Sequence, residues 1–169
     1  MQRSNEDSAR QRPAKPARYA GLSRVQLRGP AFAPTRAVPV DPTAFNHVTH
    51  EIIGAAIEVH RTLGPGLLES TYLRCLQWEL GARKQRFVTQ RQIPLTYKGH
   101  LLDESYRVDL LVEDLVVVEV KAAVAMPPVY QAQTLTYMRL TECPAGLLIN
   151  FNVPKLMDGV KRLINPRAK

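Results

Sequence analysis

The chain has 169 residues, 45% of them hydrophobic, and a formal net charge of +8, which is enough for one domain with a full core plus a tail. No apolar run approaches the length of a bilayer-spanning helix, so an integral helical membrane protein is excluded and a soluble chain is expected. Cys75 and Cys143 form no C-x-x-C pair, which argues against a zinc or iron-sulfur centre; with no secretory leader, a reducing cytoplasm is the expected setting.

The charge is unevenly spread. Residues 1–40 carry eight Lys/Arg against Glu6 and Asp7, whereas the remainder is close to balance. This segment is also interrupted by Pro13, Pro16, Pro30, Pro34 and Pro39, and its apolar residues form no stripe, so a disordered basic tail is expected over 1–40 and a folded domain over 41–169. The tail suits an electrostatic tether to DNA or RNA, a non-functional extension or, less well given its early acids, a transit peptide.

Val48, Ile52, Ala56, Val59 and Leu63 recur at helical steps, with Ile53 and Ile57 widening the stripe, which predicts an amphipathic helix over about 43–62. Gly64-Pro65-Gly66 ends it. A second helix over about 67–80 turns Leu68, Tyr72, Cys75, Leu76 and Leu80 inward and stops at Gly81. Glu69 falls in its first turn, where the helix dipole favours an acid, yet among apolar neighbours a carboxylate needs a proton, a cation or hydrogen bonds.

Strands follow over 87–97, a Lys98-Gly99 turn, and then a hairpin through Tyr106-Arg-Val-Asp-Leu-Leu-Val112 and Val116 to Lys121. Its register determines the chemistry. With a three-residue loop at Glu113-Asp114-Leu115, Val108, Leu110 and Val112 face Val120, Val118 and Val116 on one continuous apolar face, and Asp109 lies opposite Glu119. A one-residue slip mixes acids with valines on both faces, so the first register is preferred. It gathers Asp109, Glu119 and Lys121. Two carboxylates so close repel unless a proton or cation separates them, and hard oxygen ligands suit Mg²⁺ or Mn²⁺. The alternative is an ion pair of Lys121 with Asp109 or Glu119 on a solvated face.

Met126-Pro127-Pro128 starts a helix over about 129–141 that places Gln133 and Tyr137 on one face. Residues 145–152 read as a buried strand, and a last helix after Pro154 turns Leu156, Val160, Leu163 and Ile164 inward. The predicted order is α-α-β-β-β-α-β-α. The helical crossover makes the third and fourth strands a parallel, right-handed pair in a mixed α/β sheet covered on both faces.

Gly66-Leu-Leu-Glu69-Ser-Thr-Tyr72 resembles the signature of the GxxExxY protein family of the PD-(D/E)XK nuclease-like superfamily. Ile52-Ile-Gly-Ala-Ala-Ile-Glu-Val-His-Arg61, Tyr106-Arg-Val-Asp-Leu-Leu-Val112 and Leu147-Leu-Ile-Asn-Phe-Asn152 are similar to that family as well. The resemblance implies a restriction-endonuclease-like core over most of the folded body. It puts Asp109 at the first acid, Glu119 and Lys121 at the E-x-K and Glu69 at the helix acid that completes the metal site. Gln133 and Tyr137 resemble a Q-x-x-x-Y element that helps hold substrate. His60 falls where some relatives supply a metal-binding histidine, and fits an ordinary cation near a helix C-terminus equally well. Val108 stands in place of the superfamily's proline, and Tyr130 where relatives often have histidine.

The implied activity is Mg²⁺- or Mn²⁺-assisted hydrolysis of phosphodiesters in DNA, or alternatively RNA. Asp109, Glu119 and the Val120 carbonyl would hold the ion, Glu69 would help directly or through water, and Lys121 would act on the attacking water or on phosphate. Two other classes are compatible with the pattern: a non-catalytic nucleic-acid-binding or regulatory module, and a small-molecule phosphohydrolase.

Overall fold

The structure is a computed structural model that describes residues 41–165. The expected disordered tail over 1–40 lies outside the described residues. In chain order the elements are α1 (Pro42–Leu63), α2 (Glu69–Ala82), β1 (Phe87–Tyr97), β2 (His100–Val112), β3 (Val116–Lys121), α3 (Pro128–Thr141), β4 (Ala145–Asn150), a 3₁₀ turn (Leu156–Gly159) and β5 (Val160–Ile164). Among the described residues no helix is long and apolar enough to cross a membrane.

Helix α1 starts where sequence chemistry stops the preceding chain. Asp41 caps it by accepting the Thr43 N–H at 2.9 Å, and Pro42 sits in the first turn, where its missing N–H costs nothing. It ends at Gly64, whose φ of 66° is in the left-handed region that glycine adopts readily. Val48, Ile52, Ala56 and Val59 are buried as the periodicity requires, while Ile57 and Leu63 at the margins of the stripe are exposed. On α2, Tyr72, Leu76 and Leu80 are buried; Leu68, expected inward, is 74% exposed because the helix begins one residue after it.

The five strands form one mixed sheet in sequence order, with β3 and β4 parallel and every other neighbouring pair antiparallel. Helix α3 makes the crossover between the parallel strands, since a tight hairpin cannot join them. Helices α1 and α2 pack on one sheet face against Leu110, Val118 and Val120; Tyr137 and Met138 of α3 pack on the other against Val117 and Leu111. Strands β3 and β4 are buried at every position, as strands covered on both faces must be.

The β2–β3 register is the expected one, with Leu110 opposite Val118, Leu111 opposite Val117 and Val112 opposite Val116. Glu113 and Asp114 adopt φ of 52° and 56° in the three-residue loop, and the Leu115 N–H closes it on the Val112 carbonyl at 3.0 Å. The continuous valine face does not extend to Val108, which joins the α3-side cluster instead. Alternation breaks at Asp109, which is bonded from β1 by Gln90, a residue with φ of 50°.

The last segment also departs from expectation. In place of a helix after Pro154 there is one 3₁₀ turn followed by β5, which pairs Val160 with Ile149 and Leu163 with Gly146. The apolar spacing of Leu156, Val160, Leu163 and Ile164 suits a helix, but a fully buried β4 needs its second edge paired. Tertiary hydrogen bonding overrides the local pattern, and Ile164 is left 52% exposed.

Close packing of α3 on β4 gives a stability test. A Cβ added at Gly146 would lie 2.6 Å from Met138 Sδ and 3.2 Å from Thr134 Cγ2, so Gly146→Ala is expected to lower stability by roughly 1–3 kcal/mol in urea unfolding.

Candidate active site

The site lies at the C-terminal end of β3. Alternation along the strand sends Glu119 and Lys121 to the same side as Val117, towards α3, although both are side chains that ordinarily stay in water. Glu119 is 4% exposed and Lys121 9% exposed. The Lys121 ammonium donates to Glu119 Oε1 at 2.7 Å and to the Val120 carbonyl at 2.9 Å. It also lies 3.7 Å from Glu69 Oε1 and 5.5 Å from the centre of the Tyr130 ring. A single cation thus bridges the E-x-K acid, a backbone carbonyl and the helix acid.

Asp109 reaches the same strand end from β2. Its Oδ2 accepts the Val120 N–H at 3.0 Å and its Oδ1 accepts from Gln90 Nε2 at 3.1 Å. The β2–β3 ladder ends at Leu110 and Val118, so the carboxylate of Asp109 takes the place of a backbone carbonyl in holding Val120.

Electrostatics disfavour the charged form of Glu119. Burial, reinforced by the charge of Asp109, raises its pKa to about 7, and the Lys121 contact offsets this only in part. For Lys121, burial opposes the ammonium, but the Glu119 hydrogen bond and the charges of Glu119, Glu69 and Asp109 raise its pKa above the ordinary value. The cation stays charged, while its buried partner takes up a proton near pH 7.

On α3, Gln133 Nε2 donates to the Tyr137 hydroxyl at 2.5 Å, so the two residues four apart act as one unit. Burial raises the Tyr137 pKa, and the negative charges of Glu119 and Asp109 add to the effect. His60 is held differently. Its Nε2 lies 2.8 Å from the Val153 carbonyl and its ring centre 6.4 Å from that of Phe151, so one of its two ring nitrogens is engaged with backbone.

The donor set can be tested against the divalent ion that the sequence implies. Glu119 Oε2 is buried and has no hydrogen-bond partner among the described residues, a cost that buried polar atoms rarely bear without an unseen partner. Together with Asp109 and the Val120 carbonyl it offers hard oxygens of the kind Mg²⁺ takes from one or two carboxylates, the remaining positions being water. No group of three or more His, Cys, Asp or Glu side chains among the described residues is gathered as a metal cage. The residues fit a two-carboxylate site, with Lys121 occupying the space between Glu119 and Glu69.

Sequence reasoning missed the residues that hold this site in place. Gln90 anchors Asp109 from β1, where it lies between Thr89 and Arg91, the partners of Leu110 and Val108. Asn150 lies opposite Lys121 on β4; its side chain accepts the Ala123 N–H at 3.0 Å and donates to the Ala123 carbonyl at 2.9 Å, fixing the chain just beyond Lys121.

A family model described as the PD-(D/E)XK nuclease superfamily matches residues 46–163, which include every site residue above. No curated protein and no solved structure gives a match.

Proposed function

Because the chain belongs to the PD-(D/E)XK nuclease superfamily, we propose that it is a divalent-metal-dependent nuclease of the GxxExxY type, acting on DNA in a cytoplasmic setting. The observation that carries this reading is the Lys121 ammonium bridging Glu119, the Val120 carbonyl and Glu69 beside an unpartnered Glu119 oxygen. An intact acid-acid-lysine group with one buried carboxylate oxygen unsatisfied supports a working site over a decayed one.

Asp109, Glu119 and the Val120 carbonyl would hold Mg²⁺ or Mn²⁺, with Glu69 beside them. When bound, such an ion lowers the pKa of a water and stabilises charge on phosphate. Lys121, released from Glu119, is left as a cation for the attacking water or a phosphate oxygen. Asp109 ties the end of β3 to β2 through the Val120 N–H, so its own carboxylate stays beside the strand that carries Glu119 and Lys121. Gln133 and Tyr137 would contact the substrate strand from α3.

The test is cleavage of plasmid, single-stranded DNA and RNA with Mg²⁺ or Mn²⁺. Cleavage of DNA in preference to RNA is the expected result; turnover of mononucleotides alone would replace this reading by a small-molecule phosphohydrolase. A protein that cleaves none of them, and whose melting ignores both ions, would leave only a binding module. Within the proposed reaction, Gln133→Ala is expected to raise KM by about tenfold and leave metal-dependent stabilisation intact, as for loss of substrate binding alone.

A further inference from the structure

We propose that Tyr72 is a positioning residue that holds the Glu69 carboxylate against the E-x-K strand; the inference deepens the proposed function, since Glu69 matters to catalysis only under that reading. Tyr72 is fully buried, and its hydroxyl donates to the Gly64 carbonyl at 2.6 Å while accepting the Leu67 N–H at 3.1 Å. These two groups belong to the loop between α1 and α2. The loop depends on backbone that glycine adopts readily, with φ of 66° at Gly64 and 100° at Gly66.

Helix α2 has no side-chain cap of its own, because its N-cap residue is Leu68. The start of the helix is therefore held from below, by a tyrosine one turn further on. Glu69, the first residue of α2, lies three residues before Tyr72, so both project from the same side of the helix. Its side chain is 47% exposed, so little packing holds it and its reach to Lys121 depends on where the start of the helix is set.

The other end of this clamp reaches the catalytic strand. The Tyr72 ring stacks on Phe151 with centroids 4.5 Å apart and planes within 10°. The Phe151 N–H donates to the Lys121 carbonyl at 2.8 Å. One unbroken path of contacts thus runs from Lys121 through Phe151 and Tyr72 to the loop that launches Glu69. At the end of that path Glu69 Oε1 lies 3.7 Å from the Lys121 ammonium. The spacing of Gly66, Glu69 and Tyr72 has a mechanical reason: a turn, the acid it presents and the hydroxyl that fixes the turn.

Tyr72→Phe keeps the ring and its stack and removes only the hydroxyl. It is expected to weaken Mn²⁺ binding in calorimetry by about tenfold, the lower end for loss of an outer partner of a metal site. The double variant with Glu69→Gln is expected to bind Mn²⁺ no more weakly than Glu69→Gln alone, because the hydroxyl acts through that carboxylate. Two readouts need no metal: a crystal structure of Tyr72→Phe with Glu69 beyond ion-pair reach of Lys121, and faster hydrogen exchange at the Leu67 amide. An unchanged Glu69 to Lys121 contact, or Tyr72→Phe and Glu69→Gln effects that simply add, would overturn the proposal. Absence of Mn²⁺ binding by the wild-type protein would count against the nuclease reading instead, and the crystal structure and exchange would still decide the role of Tyr72.

Discussion

Glu119→Gln is expected to abolish metal-dependent stabilisation and lower nuclease turnover by more than about 100-fold, the upper end for losing even an outer-shell partner of a metal. The same variant should make the metal-free protein more stable at alkaline pH. In the folded protein Glu119 keeps its proton to about pH 7, whereas its ordinary value is 4.5. Between those values the folded state binds more protons than the unfolded chain. The stability associated with the protonated group is therefore complete below about 4.5 and is lost as pH rises through about 7.

Glutamine cannot ionise, so the variant lacks this loss, and its advantage in metal-free melts should grow between pH 5 and pH 8. A shift of this size corresponds to on the order of 3 kcal/mol, an upper figure for a site that can relax. Asp109→Asn is a less clean test. Asp109 accepts hydrogen bonds from two N–H donors, and an amide can accept through only one of its two terminal atoms. Some loss of metal-free stability, about 1 kcal/mol, is expected there whatever the metal does. Melts of Glu119→Gln at several pH values, each with and without Mg²⁺, separate the readings: loss of metal-free stability at every pH, with no effect of Mg²⁺ on wild type, would reduce Glu119 to a structural ion-pair partner.

Much of this architecture was legible because burial and periodicity act locally. The register of β2 on β3 followed from one buried face and a three-residue loop, and it brought Asp109, Glu119 and Lys121 to one strand end. The two helices, the long β1–β2 hairpin and the parallel β3–β4 pair came from spacing and punctuation at Gly64, Lys98-Gly99 and Pro127-Pro128. What could not be read depended on distant partners. The segment at Val160–Ile164 became a strand because β4 had an edge to fill, which its own spacing does not encode. The break in alternation at Asp109 coincides with its hydrogen bond to Gln90 on a neighbouring strand. His60 sits at a plausible position for a ligand, but the path of the chain after β4 brings the Val153 carbonyl to its Nε2. The Tyr72 clamp needs both the loop and Phe151, residues far apart in sequence.

Lys121→Ala should separate metal binding from turnover in the opposite sense to Glu119→Gln. In the metal-free protein the ammonium lies where a cation is most stabilised, 2.7 Å from Glu119 Oε1 and 3.7 Å from Glu69 Oε1. A divalent ion entering between these acids must share them with Lys121 or displace it. Removing the ammonium therefore removes a competitor, so Mn²⁺ affinity in calorimetry should stay unchanged or rise, by up to about tenfold for each 1.4 kcal/mol of released competition. Turnover should nevertheless fall, because the cation that would act on the water or the phosphate is gone. The metal-free variant should also melt lower at pH 8, where Glu119 loses its main counter-charge, and much less so at pH 5, where a proton replaces it. Mn²⁺ at saturating concentration should then restore melting to the wild-type level, since it supplies the missing charge. A Lys121→Ala protein that is destabilised at pH 8, binds no Mn²⁺ and is not rescued by it would show that Lys121 only neutralises the buried Glu119 and its neighbour Glu69, and the catalytic assignment of the strand would fail with it.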